Sequence, residues 1–369
     1  MNGLDFGMTD RIRIGLVGTG MMGCEHLRNL KLLPEAVVVA LADPVQSSLD
    51  EALATLGDEA EGVQTFDGVE AMLAGSKFDA VIVVSPNFTH RAVLEPLFDA
   101  GVNILCEKPL CTTVADARWA AERAADHPAV FWTGMEYRFM PPVAKFVEGV
   151  HGGDIGRLVM LSVREHRFPF LVKVGDWNRF SGNTGGTMVE KCCHFFDLMR
   201  LVVQSEPVRV FCSGAMDVNH LDERYEGRTP DIIDNSYTVI DFANGARAML
   251  ELSMFAEGAQ EQEALSAVGT EAKLEVTIPT GEVVRSLRVP RDGPKSITVT
   301  PVPVDAAALE AGTHHGSVFY QLQAFLAAVR GKGPVQVTAQ DGLRAVAIGV
   351  AAETSAREKR VVEMSELGF

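Results

Sequence analysis

Ile12-Arg13-Ile14-Gly15-Leu16-Val17-Gly18-Thr19-Gly20-Met21-Met22-Gly23 runs from a short apolar segment into a glycine turn. The apolar positions Ile12, Ile14, Leu16 and Val17 do not alternate and include β-branched residues, which suits a strand buried on both faces. From Glu25 to Leu33, Leu27, Leu30 and Leu33 recur at helical spacing, so the glycines sit at a strand-to-helix turn. Gly18 permits the bend, Gly20 lets backbone approach a pyrophosphate, and Gly23 lets helix and strand pack closely, with the helix N-terminus facing the phosphate charge. A bare G-x-G-x-x-G says little, but a second apolar run, Val37 to Leu41, ends at Ala42-Asp43. Asp43 follows Gly23 by about twenty residues, where an acid bonds the ribose hydroxyls of a dinucleotide. The plainer alternative is a structural turn with a loop aspartate.

Strand-like and helix-like segments alternate from Ile12 to Thr133. Strands are predicted at 12–17, 36–41, 79–84, 102–105 and 129–133, with a weaker one at 63–66; helices are predicted near 21–32, 45–56, 67–74, 88–100 and 112–125. Such alternation means right-handed crossovers and a doubly wound parallel sheet with helices on both faces, binding ligands at the carboxyl ends of its strands. Besides the glycine turn and Asp43, those ends carry Ser85-Pro86-Asn87, Glu107-Lys108-Pro109 and Met135 to Arg138. Ser85, Asn87 and the nearby His90 offer a wall for nicotinamide ribose; a plain proline turn with an N-cap accounts for them equally well.

The 369 residues are comfortable for two domains, and a 47% apolar, 22% charged composition is ordinary for a soluble globular protein. With 33 basic and 49 acidic side chains the formal charge is -16, which argues against nucleic acid or an anionic membrane as partner. No apolar run reaches the roughly 18 residues of a membrane span. Met1 to Asp10 has two acids and no basic residue, unlike a signal or transit peptide, so a cytoplasmic protein is expected. The six cysteines show no metal-ligand spacing and no disulfide framework; no metal is expected, and Cys106 and Cys111 read as small buried hydrophobes.

From about Pro141 the rhythm changes. A long strand at 158–167 precedes one strong helix at about 187–203, then strand-like runs near 208–213, 235–242, 246–255, 263–268, 272–277, 283–289 and 296–299. Strands joined by turns such as Ala243-Asn244-Gly245 mean an open, mostly antiparallel sheet in an α+β domain. Residues 214–233 read as an exposed excursion, and helices at 318–330 and 340–357 as able to pack on the sheet or on the first domain. The expected division is a dinucleotide-binding domain at 1–138 and a substrate-binding and oligomerisation domain at 139–369.

The helix at 187 follows Gly185-Gly186 and carries Glu190, His194 and Asp197, spaced four and three apart and hence on one helical face. Thr187-Met188-Val189-Glu190 also reads as a capping box, and a lone histidine in an apolar helix is usually a satisfied core residue. The double glycine favours a close approach to a ligand, and Lys108 needs a polar counterpart across a cleft.

The glycine turn, Glu107-Lys108-Pro109 after the fifth strand, Tyr137-Arg138 after the sixth, and Glu190-x-x-x-His194 after a double glycine together resemble the Gfo/Idh/MocA oxidoreductase family over essentially the whole chain, closest in plan to the inositol 2-dehydrogenases. The resemblance implies a Rossmann domain holding NAD(P), with Gly18, Gly20, Met21, Met22, Gly23, Asp43, Ser85, Asn87, His90, Glu107 and Lys108 at the cofactor. It implies an open-sheet second domain that serves in homo-oligomer contacts, a dimer or tetramer. It also implies oxidation or reduction of a sugar or cyclitol hydroxyl. Lys108 then contacts cofactor and substrate, His194 is the acid/base, Glu190 takes the place of the usual aspartate, and Arg138, His166 and Asp197 line the substrate. The departure is Glu190-Lys191-Cys192-Cys193-His194, where the family more often has Asp-x-Gly-x-His. NAD is expected over NADP, because Asp43 repels a 2′-phosphate and Pro44-Val45-Gln46 offers no arginine to receive one. Two other classes stand beside this one: a glycosidase or eliminase that holds NAD for transient substrate oxidation, and a non-catalytic NAD-binding sensor.

Overall fold

The computed structural model describes residues 11–369, so the reading of Met1 to Asp10 as no leader lies outside the described residues. The chain forms two compact units: one comprises residues to Cys111, Ala115–Glu136 and Asp305–Leu343, the other Thr112–Val114, Tyr137–Val304 and Arg344–Phe369.

The first unit alternates β1 (Ile12–Val17), α1 (Met21–Leu30), β2 (Ala36–Ala42), α2 (Gln46–Leu56), β3 (Gln64–Phe66), α3 (Val69–Gly75), β4 (Ala80–Val83), α4 (His90–Ala100), β5 (Asn103–Glu107), α5 (Val114–Ala125) and β6 (Phe131–Gly134). Its six strands are ordered β3-β2-β1-β4-β5-β6, every neighbouring pair parallel. This is the doubly wound order whose direction reverses beside β1, where open α/β sheets bind ligands. β4 is buried along its whole length and β1 at every residue except Arg13, as strands covered on both faces must be.

The second unit begins with α6 (Pro141–His151), which the sequence reading missed although Pro141-Pro142 opens it as a first-turn proline does. There follow β7 (Leu158–His166), the short α7 (Ser181–Thr184) and α8 (Thr187–Glu190), α9 (Cys193–Val203), and β8 (Pro207–Ala215), β9 (Asn235–Phe242), β10 (Arg247–Ser253), β11 (Glu263–Gly269), β12 (Ala272–Ile278), β13 (Glu282–Leu287) and β14 (Ile297–Pro301). The expected single helix at 187–203 is thus broken at Lys191-Cys192, and Glu190 does not share one continuous helix with His194 and Asp197. The excursion at 214–233 is anchored by buried Asp234, whose carboxylate accepts the backbone N–H groups of Asp217, Val218 and Asn219.

Three helices follow, α10 (Ala306–Ala311), α11 (Ser317–Val329) and α12 (Ala339–Glu358), before a short β15 (Val362–Glu363). Residues 305–343 lie within the 139–369 range, whose C-terminal helices were expected to pack on the sheet or on the first domain, and they cluster with the first unit: Arg28 of α1 donates to Ala311 O at 2.9 Å, and Trp132 packs edge-on against Phe325 of α11.

The nine-stranded sheet runs β14-β13-β12-β11-β7-β10-β9-β8-β15, antiparallel at every neighbouring pair except β7 with β10. One face buries Leu161, Val163, Val210, Ile240, Leu250 and Leu265 in a core shared with Phe195, Phe196 and Met199 of α9. Each such side chain contributes about 1.5–3 kcal/mol on burial. The opposite face leaves Phe211, Tyr237, Val239, Met249, Met160 and Val268 exposed, because register places them on one side of the pleat.

Candidate active site

At the carboxyl end of β1 the turn has no room for side chains where the chain is closest. Gly18 has φ 94°, and a Cβ there would meet the Ser85 nitrogen and the Val84 carbonyl carbon at 2.5 Å; a Cβ on Gly23 would collide with Gly18 O. A Cβ on Gly20 would meet nothing within 4 Å among the described residues, which leaves an open approach to the backbone. Asp43 is fixed beside this turn, its Oδ2 accepting Thr19 N–H at 2.8 Å and its Oδ1 accepting Val45 N–H at 2.9 Å. The Thr19 hydroxyl and the Asn87 side-chain nitrogen are buried without a hydrogen-bond partner among the described residues. A buried polar atom left bare is costly, and these two lie at the strand ends where a dinucleotide has hydroxyl and amide groups to offer. The residues present therefore fit NAD. Met21, 45% exposed, and Met22 open α1, and Ser85 accepts a hydrogen bond from Thr89, which also closes on Pro86 O as a proline turn does.

His90, expected at the cofactor, is instead fully buried: its Nδ1 lies 2.9 Å from Pro109 O and 3.2 Å from Leu110 O, and its Nε2 lies 3.0 Å from Ser85 O. The ring ties the Ser85 turn to the turn after Lys108, and burial holds its pKa down. Glu107 is likewise turned inward, accepting from Lys108 N at 3.1 Å and lying 2.8 Å from His26 Nε2. Burial raises the Glu107 pKa, but the His26 hydrogen bond and the charges of His26 and Lys108 outweigh it and bring the group below its ordinary value. Burial, then the charge of Glu107, pushes the Glu136 carboxyl up to about 7, against the opposing charges of His314 and Lys108. Glu25, bonded to His314 at 2.7 Å, extends this set of carboxyls and imidazoles, of which Glu107 and Glu136 feel the charge of Lys108. The sequence reading missed Glu25, His26, Glu136 and His314; Glu25-His26 directly after the glycine turn was the available signal.

In the second unit, Glu190 ends α8, and the helix start does not use a capping box. Gly186 is the N-cap and supplies no side chain, Thr187 Oγ1 donates to Ile233 O, and Met188 N–H is bound by Glu353 Oε1 at 2.9 Å. Gly186 has φ 88°, and a Cβ there would run into the Glu353 carboxyl, so the double glycine answers to that acid as well as to any ligand. His194 is buried and lies flat on Tyr137, ring centroids 4.1 Å apart and 10° from parallel. Arg138 and Asp197 form a two-pronged ion pair at 2.5 Å, the geometry expected of a guanidinium on a carboxylate. His166 lies 3.2 Å from Glu251 on the neighbouring strand. A cavity of about 680 Å³ in this unit is lined by Thr112, Ser181, Asp231, Glu353 and Arg357, and none of Glu190, His194 and Asp197 is in its wall. Among the described residues no group of three or more His, Cys, Asp or Glu side chains is placed to hold a metal ion, and no helix is long and apolar enough to cross a membrane.

Residues 12–135 match the family description of an oxidoreductase NAD-binding Rossmann fold, and residues 147–364 that of the oxidoreductase C-terminal alpha/beta domain. The chain belongs to the Gfo/Idh/MocA oxidoreductase family. Among relatives of this Gfo/Idh/MocA protein, a myo-inositol 2-dehydrogenase of Thermotoga maritima is 28% identical over 96% of this chain and 99% of its own. An inositol 2-dehydrogenase of Rhizobium meliloti is 26% identical over 96% and 99%. A solved levoglucosan dehydrogenase, in complex with NADH and levoglucosan, superposes with a TM-score of 0.81 at 19% identity, covering 96% of this chain and 99% of that one, which shows the shared fold. This Gfo/Idh/MocA chain is therefore an NAD-binding oxidoreductase with a parallel Rossmann sheet and a mostly antiparallel second sheet.

Proposed function

We propose that this oxidoreductase transfers a hydride between a sugar or cyclitol hydroxyl, inositol-like, and the nicotinamide of NAD, with Lys108, Glu190 and His194 as its catalytic groups. The observation that carries the reading is the glycine turn with Asp43 bound to Thr19 N–H, joined by the bare Thr19 hydroxyl and Asn87 amide; relatives named as inositol 2-dehydrogenases along nearly their whole length supply the substrate class. Gly18, Gly20, Met21, Met22, Gly23, Asp43, Ser85 and Asn87 would hold the cofactor, and Glu107 and His90 would act behind it by shaping the Lys108 turn. Bound NAD supplies the hydride acceptor. His194 takes the hydroxyl proton at a ring nitrogen. The Lys108 ammonium holds the oxygen as negative charge grows on it. Glu190 orients the substrate hydroxyls. Arg138 and Asp197 serve the substrate as one unit, because their charges already answer each other, and His166 is a further lining residue.

The six free, buried cysteines fit a reducing cytoplasm, and the exposed Phe211, Tyr237, Val239 and Met249 fit a homodimer or homotetramer that covers this sheet face. The test is a panel of inositols, hexoses and glycosides with NAD and with NADP, followed by absorbance of the reduced cofactor. Turnover of a cyclitol or sugar with NAD, and kcat/KM at least about tenfold lower with NADP, is expected because the Asp43 carboxylate repels a 2′-phosphate. No turnover across the panel, or equal use of both cofactors, contradicts the proposal.

A further inference from the structure

Lys191 has no part in the chemistry proposed above, yet it is among the most deeply buried cations described, with 4% of its side chain exposed. A buried ammonium costs several kcal/mol unless it is paired and hydrogen-bonded. Lys191 Nζ lies 3.0 Å from Glu165 Oε1 on β7 and donates to Tyr137 Oη at 2.6 Å. It also stands 4.8 Å from the centre of the Tyr137 ring and 5.7 Å from that of Phe195, close enough for cation–π attraction. Tyr137 Oη in turn donates to Glu263 Oε1 on β11 at 3.3 Å, and Arg167 lies 3.4 Å from Glu165. Burial, then the charge of Glu165, pushes the Glu263 carboxyl up to about 7. The tyrosine is thereby held at its far end by an ammonium and a carboxyl, and its face lies against the His194 imidazole. Bonds at the para oxygen fix where the ring stands and leave only rotation about its long axis, which Phe195, edge-on at 5.6 Å, and the stacked imidazole restrict; the imidazole in turn loses freedom about its own side-chain torsions.

We propose that Lys191 is a positioning residue for His194: it pins the Tyr137 ring, and the pinned ring holds the imidazole in the orientation from which it takes the substrate's proton. The proposal rests on the reading of His194 as the base. It also explains why a lysine stands in the Glu190-Lys191-Cys192-Cys193-His194 run: the helix break at Lys191-Cys192 turns that side chain into the core beside β7 and β11 instead of along a continuing helix.

The full-length enzyme, assayed with NAD and the fastest substrate of the panel, is compared as Lys191→Met, Tyr137→Phe and the double variant, with His194→Ala as reference. Each single variant is expected to lower kcat about tenfold with KM for NAD unchanged, and the double variant to lower it no further, because both break the same Lys191–Tyr137 bond. Lys191→Arg keeps a cation within reach of both partners and is expected to recover most of the loss. Should Lys191→Met fail to fold with Glu165 left uncompensated, Lys191→Met combined with Glu165→Gln removes both charges and is read in its place. A folded Lys191 variant with wild-type kcat, or single losses that multiply in the double variant, overturns the inference while His194→Ala stays inactive. Full activity in His194→Ala instead overturns the assignment of the base.

Discussion

Glu190 stands at the end of α8 and His194 in the first turn of α9, and the bond that starts α8 comes from neither, since Glu353 binds Met188 N–H. A glutamine at 190 therefore leaves the helix start as it is. Glu190→Gln is expected to keep its Tm within about 2 °C of wild type and to lose most turnover; a stable and fully active variant would remove Glu190 from the chemistry. His194→Ala is expected to cut kcat by on the order of a hundredfold while NAD affinity stays nearly unchanged, as removal of a general base does. A fully active His194→Ala would pass the role to Lys108 or Tyr137. At this scale the sequence reveals residue types at strand ends but not which way they face. Asp43 is beside the glycine turn as its spacing predicts, whereas His90 and Glu107 sit behind it, bonded to carbonyls and to His26, contacts made between residues far apart in sequence.

Among the elements, Glu353 of α12 shows how a distant helix sets a local one. Burial pushes its carboxyl up to about 7, against about 4.3 for an unfolded glutamate. The folded chain then binds more protons than the unfolded chain between those values, so this group makes stability fall as pH rises from about 4.5 through 7. Glu353→Gln keeps an oxygen for Met188 N–H and removes the ionisation. Its Tm should exceed that of wild type by a few degrees at pH 8, with the gap closing towards pH 5; a variant less stable than wild type at pH 8 contradicts the assignment. The strands of both sheets, the two-residue β15 apart, were legible to within a few residues because burial on two faces, or alternation on one, writes itself into the sequence. The break at Lys191-Cys192 was not legible: Thr187 to Val203 has unbroken helical spacing, and the partners that Lys191 meets at the break, Glu165 and Tyr137, are brought near only by the fold. Local pattern left the C-terminal helices open between the sheet and the first domain for the same reason.

For the whole molecule, the exposed face carrying Phe211, Tyr237, Val239 and Met249 predicts self-association. Sedimentation at micromolar concentration should show a dimer or tetramer, and Val239→Lys should shift it towards monomer; wild type sedimenting as a monomer would contradict this. In the proposed reaction NAD leaves reduced, once for every hydroxyl oxidised. The most direct measurement is the ratio of reduced cofactor formed to polyol consumed, by absorbance and by quantifying the ketone product in the same reaction. One to one is expected. Polyol or glycoside consumed with no net reduced cofactor would contradict it and point to transient oxidation on retained NAD.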